Sequence, residues 1–176
     1  IGSVLTGGGS EVSLISRDEV GAAPLADVVI LATPYPAVAS IVEAYGAQLD
    51  GKTVVDISNP LNFETFDSLV VPVGSSAAAE LQSQLPNSRV LKAFNTNFAA
   101  TLATKKVGDV DTTVLVAGDS SEAKAELIAA VEAGGVGAID AGALTRAHEL
   151  EALGFLQLTL AVGEKLPWTA GVAVVR

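Results

Sequence analysis

The sequence has no cysteine and no methionine among its 176 residues, and few aromatic side chains. Without cysteine the chain can form neither disulfides nor thiolate metal sites, which makes the cytoplasm the expected compartment. Because methionine is missing even at position 1, we expect the native protein to begin upstream of this sequence.

Basic residues and long hydrophobic runs are also scarce. Ten Lys and Arg residues stand against twenty Asp and Glu residues, a formal net charge of −10. A nucleic-acid partner is not expected, because polyanion binding needs a basic face. No apolar run approaches the roughly 18–20 residues that span a bilayer, and no signal peptide is visible, so no membrane partner is expected either.

Apolar runs of strand length alternate with segments of helical spacing along the chain. The predicted strands are 11–16, 27–33, 52–57, 89–94, 112–117 and 136–139, with an edge strand at 168–175. The predicted helices are 36–47, 75–85, 98–104, 120–132 and 146–165, and 58–73 is expected to be irregular. Repeated strand–helix units indicate an α/β fold with a doubly wound parallel sheet, in one domain over residues 1–176.

The first nine residues have the pattern of the end of a helix. Ile1, Val4 and Leu5 are spaced as on a helix, and Gly7-Gly8-Gly9 would end it before the strand at 11–16. The glycines could instead form a flexible turn or linker. They are a poor match to a phosphate loop, because no apolar strand precedes them. In a dinucleotide-binding fold a strand and a glycine-rich loop precede this helix, so we expect roughly 10–15 further N-terminal residues.

Ser16 and Arg17 stand at the end of the predicted strand 11–16. In dinucleotide-binding folds the side chain at this place meets the adenosine ribose: an acid there selects NAD, and Arg accommodates the 2′-phosphate of NADP. A guanidinium and a hydroxyl are good donors to phosphate oxygens, so we predict NADP. Alternatively, Arg17 is a solvated surface residue, and the acids Asp18 and Glu19 that follow it favour NAD.

Two proline-containing turns follow neighbouring predicted strands. Thr33-Pro34-Tyr35 follows DVVILA, and Ser58-Asn59-Pro60 follows KTVVDI. Ligands in these folds bind beyond the carboxyl ends of the strands, where prolines give a rigid wall with few backbone donors. We predict a wall against the ribose and nicotinamide, although either turn alone could be an ordinary proline turn.

Four stretches of the sequence form a more specific pattern: DVVILATPYPAV, TVVDISNPLNF, RVLKAFNTNFAATL and DAGALTRAHELEALGFLQLTLA. Together they resemble the family of NADP-dependent oxidoreductases related to F420H2:NADP oxidoreductase, over almost the whole chain. The stretch KAFNT is also similar to the cytosolic domain of the six-transmembrane metalloreductases. The resemblance implies a Rossmann-like NADP-binding fold. The first strand and the glycine-rich loop of that family are absent from this sequence.

The resemblance also implies roles at matching positions. Ser16-Arg17 would be the 2′-phosphate site, and Thr33-Pro34-Tyr35 with Ser58-Asn59-Pro60 the cofactor wall. Phe94-Asn95-Thr96 would be the loop beside the nicotinamide where a flat electron acceptor docks, with Asn95 contacting cofactor as well as acceptor. His148 stands where many relatives have Arg, which leaves the role of that position open.

Candidates for proton transfer are poor, so no catalytic side chain is assigned and no metal site is expected. His148 is expected at the surface or in helix packing, and Lys92 as a solvated or salt-bridged side chain. Tyr35 lacks an evident partner that would lower its pKa. Hydride transfer to a flavin, deazaflavin F420 or metal chelate needs proximity more than a proton donor at carbon. The alternatives are a non-catalytic NADP-binding sensor, and a reductase of a small carbonyl substrate with Tyr35 or Lys92 as donor.

The helix predicted at 146–165 is apolar nearly all round, so it must be covered on more than one side. We expect it to close the cofactor cleft and to form a homodimer contact, as the resemblance suggests. The alternative is a helix packed wholly within its own subunit.

Overall fold

A computed structural model describes residues 1–175 of the chain. Its strands are β1 (Val28–Leu31), β2 (Thr53–Asp56), β3 (Arg89–Lys92), β4 (Lys106–Val107), β5 (Val110–Asp111), β6 (Thr113–Gly118) and β7 (Gly137–Gly142). Its α-helices are α1 (Gly2–Gly7), α2 (Tyr35–Tyr45), α3 (Ala77–Gln84), α4 (Ala99–Thr104), α5 (Ser121–Ala133) and α6 (Ala147–Val162). Short 3₁₀ turns cover Arg17–Glu19, Gly46–Leu49 and Leu144–Arg146.

The main sheet has the strand order β1-β2-β3-β6-β7. Strands β1, β2 and β3 are parallel, and β7 is parallel to β6, but β6 runs antiparallel to β3. The prediction of an all-parallel sheet is therefore wrong at one strand pair. A parallel return needs a crossover that travels the length of the sheet, usually a helix. The six-residue helix α4 is too short for that, and the chain forms the small β4–β5 hairpin instead, which the sequence analysis missed.

The strand predicted at 11–16 does not form, and this segment belongs to no sheet. Its apolar side chains lie open to solvent, with Val12 37% and Leu14 88% exposed. A strand is stable only when its backbone groups pair with a neighbour. Among residues 1–175 none pairs with this segment, and β1 is the edge of the sheet on that side.

Two hydrophobic clusters cover the two faces of the sheet. Because successive side chains of a strand point to opposite faces, Val54 and Val90 join one cluster while Val55 and Leu91 join the other. Helices α2 and α3 pack on the first face, and α1 and α5 on the second. The doubly wound α/β arrangement predicted from the alternating elements is thus confirmed.

The helix end at the start of the chain is confirmed: α1 ends at Gly7 and Gly8 is its C-cap. The predicted cap of the fifth helix is also confirmed, since the Ser120 hydroxyl accepts a hydrogen bond from the Ala123 amide. Two other details are wrong. Helix α6 ends at Val162, where Gly163 caps it, rather than at residue 165. The segment 168–175 forms no strand; its Trp168 ring packs on Phe98 instead, 5.0 Å between centroids.

Within residues 1–175, no helix combines the length and the apolar composition needed to cross a bilayer.

Candidate functional site

The carboxyl ends of β1, β2 and β3 lie side by side. Leu31 is in register with Asp56, and Asp56 with Lys92, so the three strands end at the same level. The segments that follow them, 33–35, 58–60 and 94–96, are called the strand-end site below. This register brings the turns after β1 and β2 to one edge of the sheet, where the sequence predicted them.

Two asparagines join adjacent parts of the strand-end site. The Asn59 amide donates to the Asn95 backbone carbonyl at 3.0 Å, and the Asn95 amide donates back to Asn59 Oδ1 at 2.9 Å. Asn95 also donates to the carbonyl of Leu150 in α6 at 2.8 Å. Both donor hydrogens of Asn95 are therefore used by the protein, which leaves its Oδ1 as an acceptor.

Helix α6 lies against this asparagine pair. At Gly154 a Cβ atom would stand 2.3 Å from Asn59 Oδ1, so only glycine allows this approach. One turn further on, the Gln157 amide donates to the Thr96 carbonyl at 3.2 Å. The buried stripe of α6 is thus partly polar, whereas Leu156 and Leu160 of the same helix are exposed.

Phe94 differs from its expected role. Its ring is 3% exposed and belongs to the hydrophobic cluster beneath the sheet, and its backbone has a positive φ of 62°. The ring therefore cannot stack on a docked acceptor, and only the Phe94 backbone borders the strand-end site. Asn95 and Thr96, whose side chains are also largely buried, follow directly.

Each of the three strand ends contributes a buried polar atom with no hydrogen-bond partner among residues 1–175. These atoms are Thr33 Oγ1, Ser58 Oγ and Asn95 Oδ1. A buried polar group without a partner costs about 1–3 kcal/mol, so such groups need an explanation. Two hydroxyls and an amide oxygen are the groups that ribose hydroxyls and a carboxamide would pair with. The residues present therefore fit the nicotinamide half of a dinucleotide.

Directly below the strand-end site lies a buried ion triad, defined as Lys92, Asp56 and Glu151. The Lys92 ammonium is 2.8 Å from Asp56 Oδ2 and 2.8 Å from Glu151 Oε1, and all three side chains are at most 1% exposed. Its third hydrogen bond goes to the Ser58 carbonyl at 2.6 Å. The expectation for Lys92 left two states open, and the side chain is salt-bridged rather than solvated.

The sequence analysis missed Asp56 and Glu151. A signal for each was present. Asp56 ends a strand that is buried along its whole length, directly after Val54 and Val55, and Glu151 falls on the same helical stripe as Ala147, Leu150 and Gly154. An acid at a position where the pattern demands burial is paired or ligated. The pattern could flag both acids, but it could not name Lys92 as their shared partner.

Glu151 also caps the N-terminus of α3, since its carboxylate accepts from the Ala77 amide at 2.9 Å and the Ala78 amide at 3.3 Å. Burial raises the pKa of Glu151, while Lys92 and the Ala77 hydrogen bond act in the opposite direction. A carboxylate at a helix N-terminus also gains from the helix dipole. The triad thus joins β2, β3, α3 and α6 through one ammonium.

Tyr35 lies at the first turn of α2 and donates its hydroxyl hydrogen to Glu80 of α3. Burial, and then the Glu80 carboxylate, raises the pKa of Tyr35 to about 12. A phenol with so high a pKa releases its proton less readily than an ordinary one, whereas an effective proton donor has a pKa near the working pH. This arrangement disfavours the carbonyl-reductase alternative that used Tyr35.

The proposed phosphate residues, Ser16 and Arg17, are exposed. Because 11–16 is not a strand, Ser16 and Arg17 do not follow a strand end as expected; they begin an exposed 3₁₀ turn. Ser16 is engaged by Glu19, whose carboxylate accepts from the Ser16 amide at 2.8 Å and its hydroxyl at 2.6 Å. These bonds lower the pKa of Glu19. The Arg17 guanidinium forms no ion pair within residues 1–175.

His148 is half-buried and contacts the segment that precedes α3. Its Nδ1 is 3.0 Å from the Ser75 carbonyl, just before α3. In the part of the chain that the structure describes, no cluster of three or more His, Asp or Glu side chains could hold a metal ion.

Comparisons with known proteins agree with this fold. Residues 7–60 match the family described as NADP oxidoreductase, coenzyme F420-dependent. The chain is 35% identical over 149 residues to the F420-dependent NADP reductase of Methanocaldococcus jannaschii, covering 82% of this chain and 66% of that protein. It is 37% identical over 106 residues to the metalloreductase STEAP3 of Rattus norvegicus, covering 60% of this chain but 20% of that protein. The chain thus spans less than two thirds of either relative.

Solved structures give the same grouping. A protein of Arthrobacter sp. FB24 assigned as an F420-dependent NADP reductase superposes with a TM-score of 0.77 at 28% identity, covering 86% of this chain and 70% of that one. Pyrroline carboxylate reductase of Plasmodium falciparum, solved with NADP bound, has a TM-score of 0.54 over 93% of this chain and 61% of its own, at 11% identity. The latter likeness concerns the fold alone. By sequence and by fold, the chain is similar to the coenzyme F420-dependent NADP oxidoreductases.

Proposed function

We propose that this protein transfers a hydride between NADP(H) and a flat redox acceptor, with F420 as the first candidate and a flavin or metal chelate as alternatives. NADPH would supply the hydride, and solvent the proton that completes reduction of F420 or a flavin; with a ferric chelate, the two electrons of NADPH would reduce two ferric ions and release a proton. The observation that carries the proposal is the set of unpartnered buried atoms Thr33 Oγ1, Ser58 Oγ and Asn95 Oδ1 at three adjacent strand ends. The name of the archaeal relative supports NADP and F420 as the reactants.

The protein's own contribution would be to bind and to orient. Ser58 and Asn59 would face the ribose and carboxamide, and Pro34 and Pro60 would form rigid wall segments beside them. Both candidate donors are already engaged: Tyr35 is hydrogen-bonded to Glu80, and Lys92 is paired with Asp56 and Glu151. A site that stacks two rings at close range accelerates hydride transfer through proximity, without a side chain that transfers protons.

Helix α6 would close the cleft over the strand-end site, as expected from the sequence. Its contacts with Asn95 through the Leu150 carbonyl and with Asn59 through Gly154 support that position. A homodimer contact through the exposed Leu156 and Leu160 stays a proposal, which analytical ultracentrifugation of the protein tests.

Arg17 would bind the 2′-phosphate of NADP, and its substitution tests the cofactor assignment. We expect Arg17→Ala to weaken NADPH binding by roughly tenfold or more, because a charge-assisted bond is lost, and to leave NADH binding unchanged. Arg89→Ala is the matched control. Arg89 lies at the start of β3, at the other end of this strand from the strand-end site, and donates to the Gly51 carbonyl. Calorimetric titration with both nucleotides measures the preference; an unchanged preference in Arg17→Ala contradicts the assignment.

The acceptor is tested separately, by following NADPH oxidation with F420, FMN and a ferric chelate in parallel assays. Turnover with F420 and little with the other two would support the proposed acceptor. NADPH binding without turnover of any acceptor would favour the sensor alternative over an enzyme.

A further inference from the structure

Burying the ion triad carries a large desolvation free energy, which offsets much of what its ion pairs contribute to the stability of the fold. Removing three charged groups from water costs several kcal/mol for each, and well-packed apolar residues often do as well or better. Yet every hydrogen of the Lys92 ammonium is used, on Asp56, Glu151 and the Ser58 carbonyl. A buried ionic group that contributes little net stability is better explained by the geometry that it fixes.

That geometry centres on Ser58. Its carbonyl accepts from Lys92 at 2.6 Å, and its amide donates to Asp56 Oδ1 at 2.8 Å. Both backbone groups of Ser58 are thus held by the triad, while its hydroxyl is buried and has no partner among residues 1–175. The triad thus holds the Ser58 backbone and leaves the Ser58 hydroxyl for another group to bond.

The same ammonium fixes the helix that lies against the next residue of the turn. Glu151 binds Lys92 at 2.8 Å, and three residues later in α6 Gly154 touches Asn59. The turn and the helix are therefore positioned by one shared group. A change at Lys92 would move both of them, together with the start of α3 that Glu151 caps.

We propose that Lys92 is a positioning residue that, with Asp56 and Glu151, aims the Ser58 hydroxyl and the Asn59 amide at the nicotinamide-ribose half of NADP(H). The inference rests on the proposed function. It adds that this half of the nucleotide is recognised through a buried charged group which the nucleotide never touches.

The test compares two nucleotides that differ in that half. NADPH carries the nicotinamide ribose, whereas 2′,5′-ADP carries only the adenosine with its 2′- and 5′-phosphates. Lys92→Met removes the ammonium at similar volume. Lys124→Met is the matched control, because Lys124 is also buried and bonds one carboxylate, Asp140, and one carbonyl, that of Gly142, on the far side of β6.

We expect Lys92→Met to bind NADPH roughly tenfold more weakly and 2′,5′-ADP as the unchanged protein does, since one oriented hydrogen bond of this order is lost. Lys124→Met should change neither affinity. Equal weakening for both ligands in Lys92→Met would show a merely structural role and overturn the proposal, as would an unchanged affinity for NADPH. If the unchanged protein binds neither ligand, the proposed function fails and this inference with it.

Lys92→Met leaves two buried carboxylates without their cation and can prevent folding. A triple variant, Lys92→Met with Asp56→Asn and Glu151→Gln, removes all three charges but keeps an acceptor oxygen for the Ser58 and Ala77 amides. We expect it to unfold at a higher temperature than Lys92→Met and still to lose NADPH affinity selectively, because the Ser58 carbonyl is no longer held. Normal NADPH binding by the folded triple variant would overturn the proposal.

Discussion

Gly154 of α6 lies so close to Asn59 of the strand-end site that a Cβ at position 154 would stand 2.3 Å from Asn59 Oδ1. The contact seats the helix directly on the amide that bonds Asn95. The position of α6 against the strand-end site should therefore depend on the absence of a side chain at position 154.

The first prediction concerns Gly154→Ala. The added methyl forces the helix or the Asn59 side chain to move, and we expect the free energy of unfolding to fall by about 1–3 kcal/mol, the usual cost of overpacking. Urea denaturation measures the change. Gly7→Ala is the control, because a Cβ there meets nothing within 4 Å. If the cost comes from the Asn59 contact, Asn59→Ala in the Gly154→Ala background should recover part of it; no recovery would refute this cause.

The second prediction concerns Glu19, which binds the hydroxyl and amide of Ser16 next to Arg17. Glu19→Gln keeps a side chain suited to the capping box but removes a negative charge close to the proposed phosphate position. We expect NADPH affinity to rise several-fold and NADH affinity to stay constant, since only NADPH carries the 2′-phosphate. Glu43→Gln, on α2, serves as a charge-matched control. A drop in NADPH affinity in Glu19→Gln would mean that the carboxylate orders the site rather than opposing the phosphate.

The third prediction uses the raised pKa of Tyr35, about 12, whose largest cause is burial. An acid that holds its proton more tightly in the folded state stabilises the fold until the pH exceeds its unfolded pKa of about 10. This contribution should be lost as the pH rises from about 10 to about 12. The unfolding temperatures of the protein and of Tyr35→Phe should be measured across this pH range. The pH dependence of the difference between them gives the contribution of Tyr35.

The Tyr35 titration itself can be followed by phenolate absorbance. Glu80→Gln should lower the pKa of Tyr35, because it removes a carboxylate that accepts the phenol hydrogen. The value should stay above the ordinary one, since burial remains. A phenol in Glu80→Gln that titrates at or above the original value would contradict the assigned partner.

The fourth prediction uses Trp168, the single tryptophan, whose ring lies 5.0 Å from that of Phe98. Its segment is tied to the strand-end site through Gln157, which accepts from the Val172 amide and donates to the Thr96 carbonyl. Reduced nicotinamide absorbs where tryptophan emits. NADPH should therefore quench Trp168 emission more strongly than NADP⁺ does, and Trp168→Phe should abolish the signal. Saturating NADPH that leaves the emission unchanged would place the nicotinamide elsewhere.

The sequence by itself determined the elements whose stabilising contacts are local or follow from a buried pattern. The apolar runs around Val54 and Val90 predicted strands because such runs can only be buried, and Ser120 predicted a helix start because its hydroxyl caps a helix a few residues away. The proline turns after β1 and β2 were expected at one edge of the sheet because parallel strands share their carboxyl ends.

Tertiary structure decided everything that depends on partners distant in sequence. The segment 11–16 has the composition of a strand, but a strand forms only where another strand pairs with it, and none does within residues 1–175. The direction of β6 relative to β3 is likewise a property of the fold, in which the chain between them forms α4 and the β4–β5 hairpin.

The sequence also left Lys92 open between a solvated and a paired side chain. Its two partners lie 36 and 59 positions away in the chain, and only folding shows that β2 and α6 bring both carboxylates to one ammonium. Local pattern fixes which residues must be buried, because burial follows from periodicity. Which charges meet there depends on how the elements pack, and no periodicity records that.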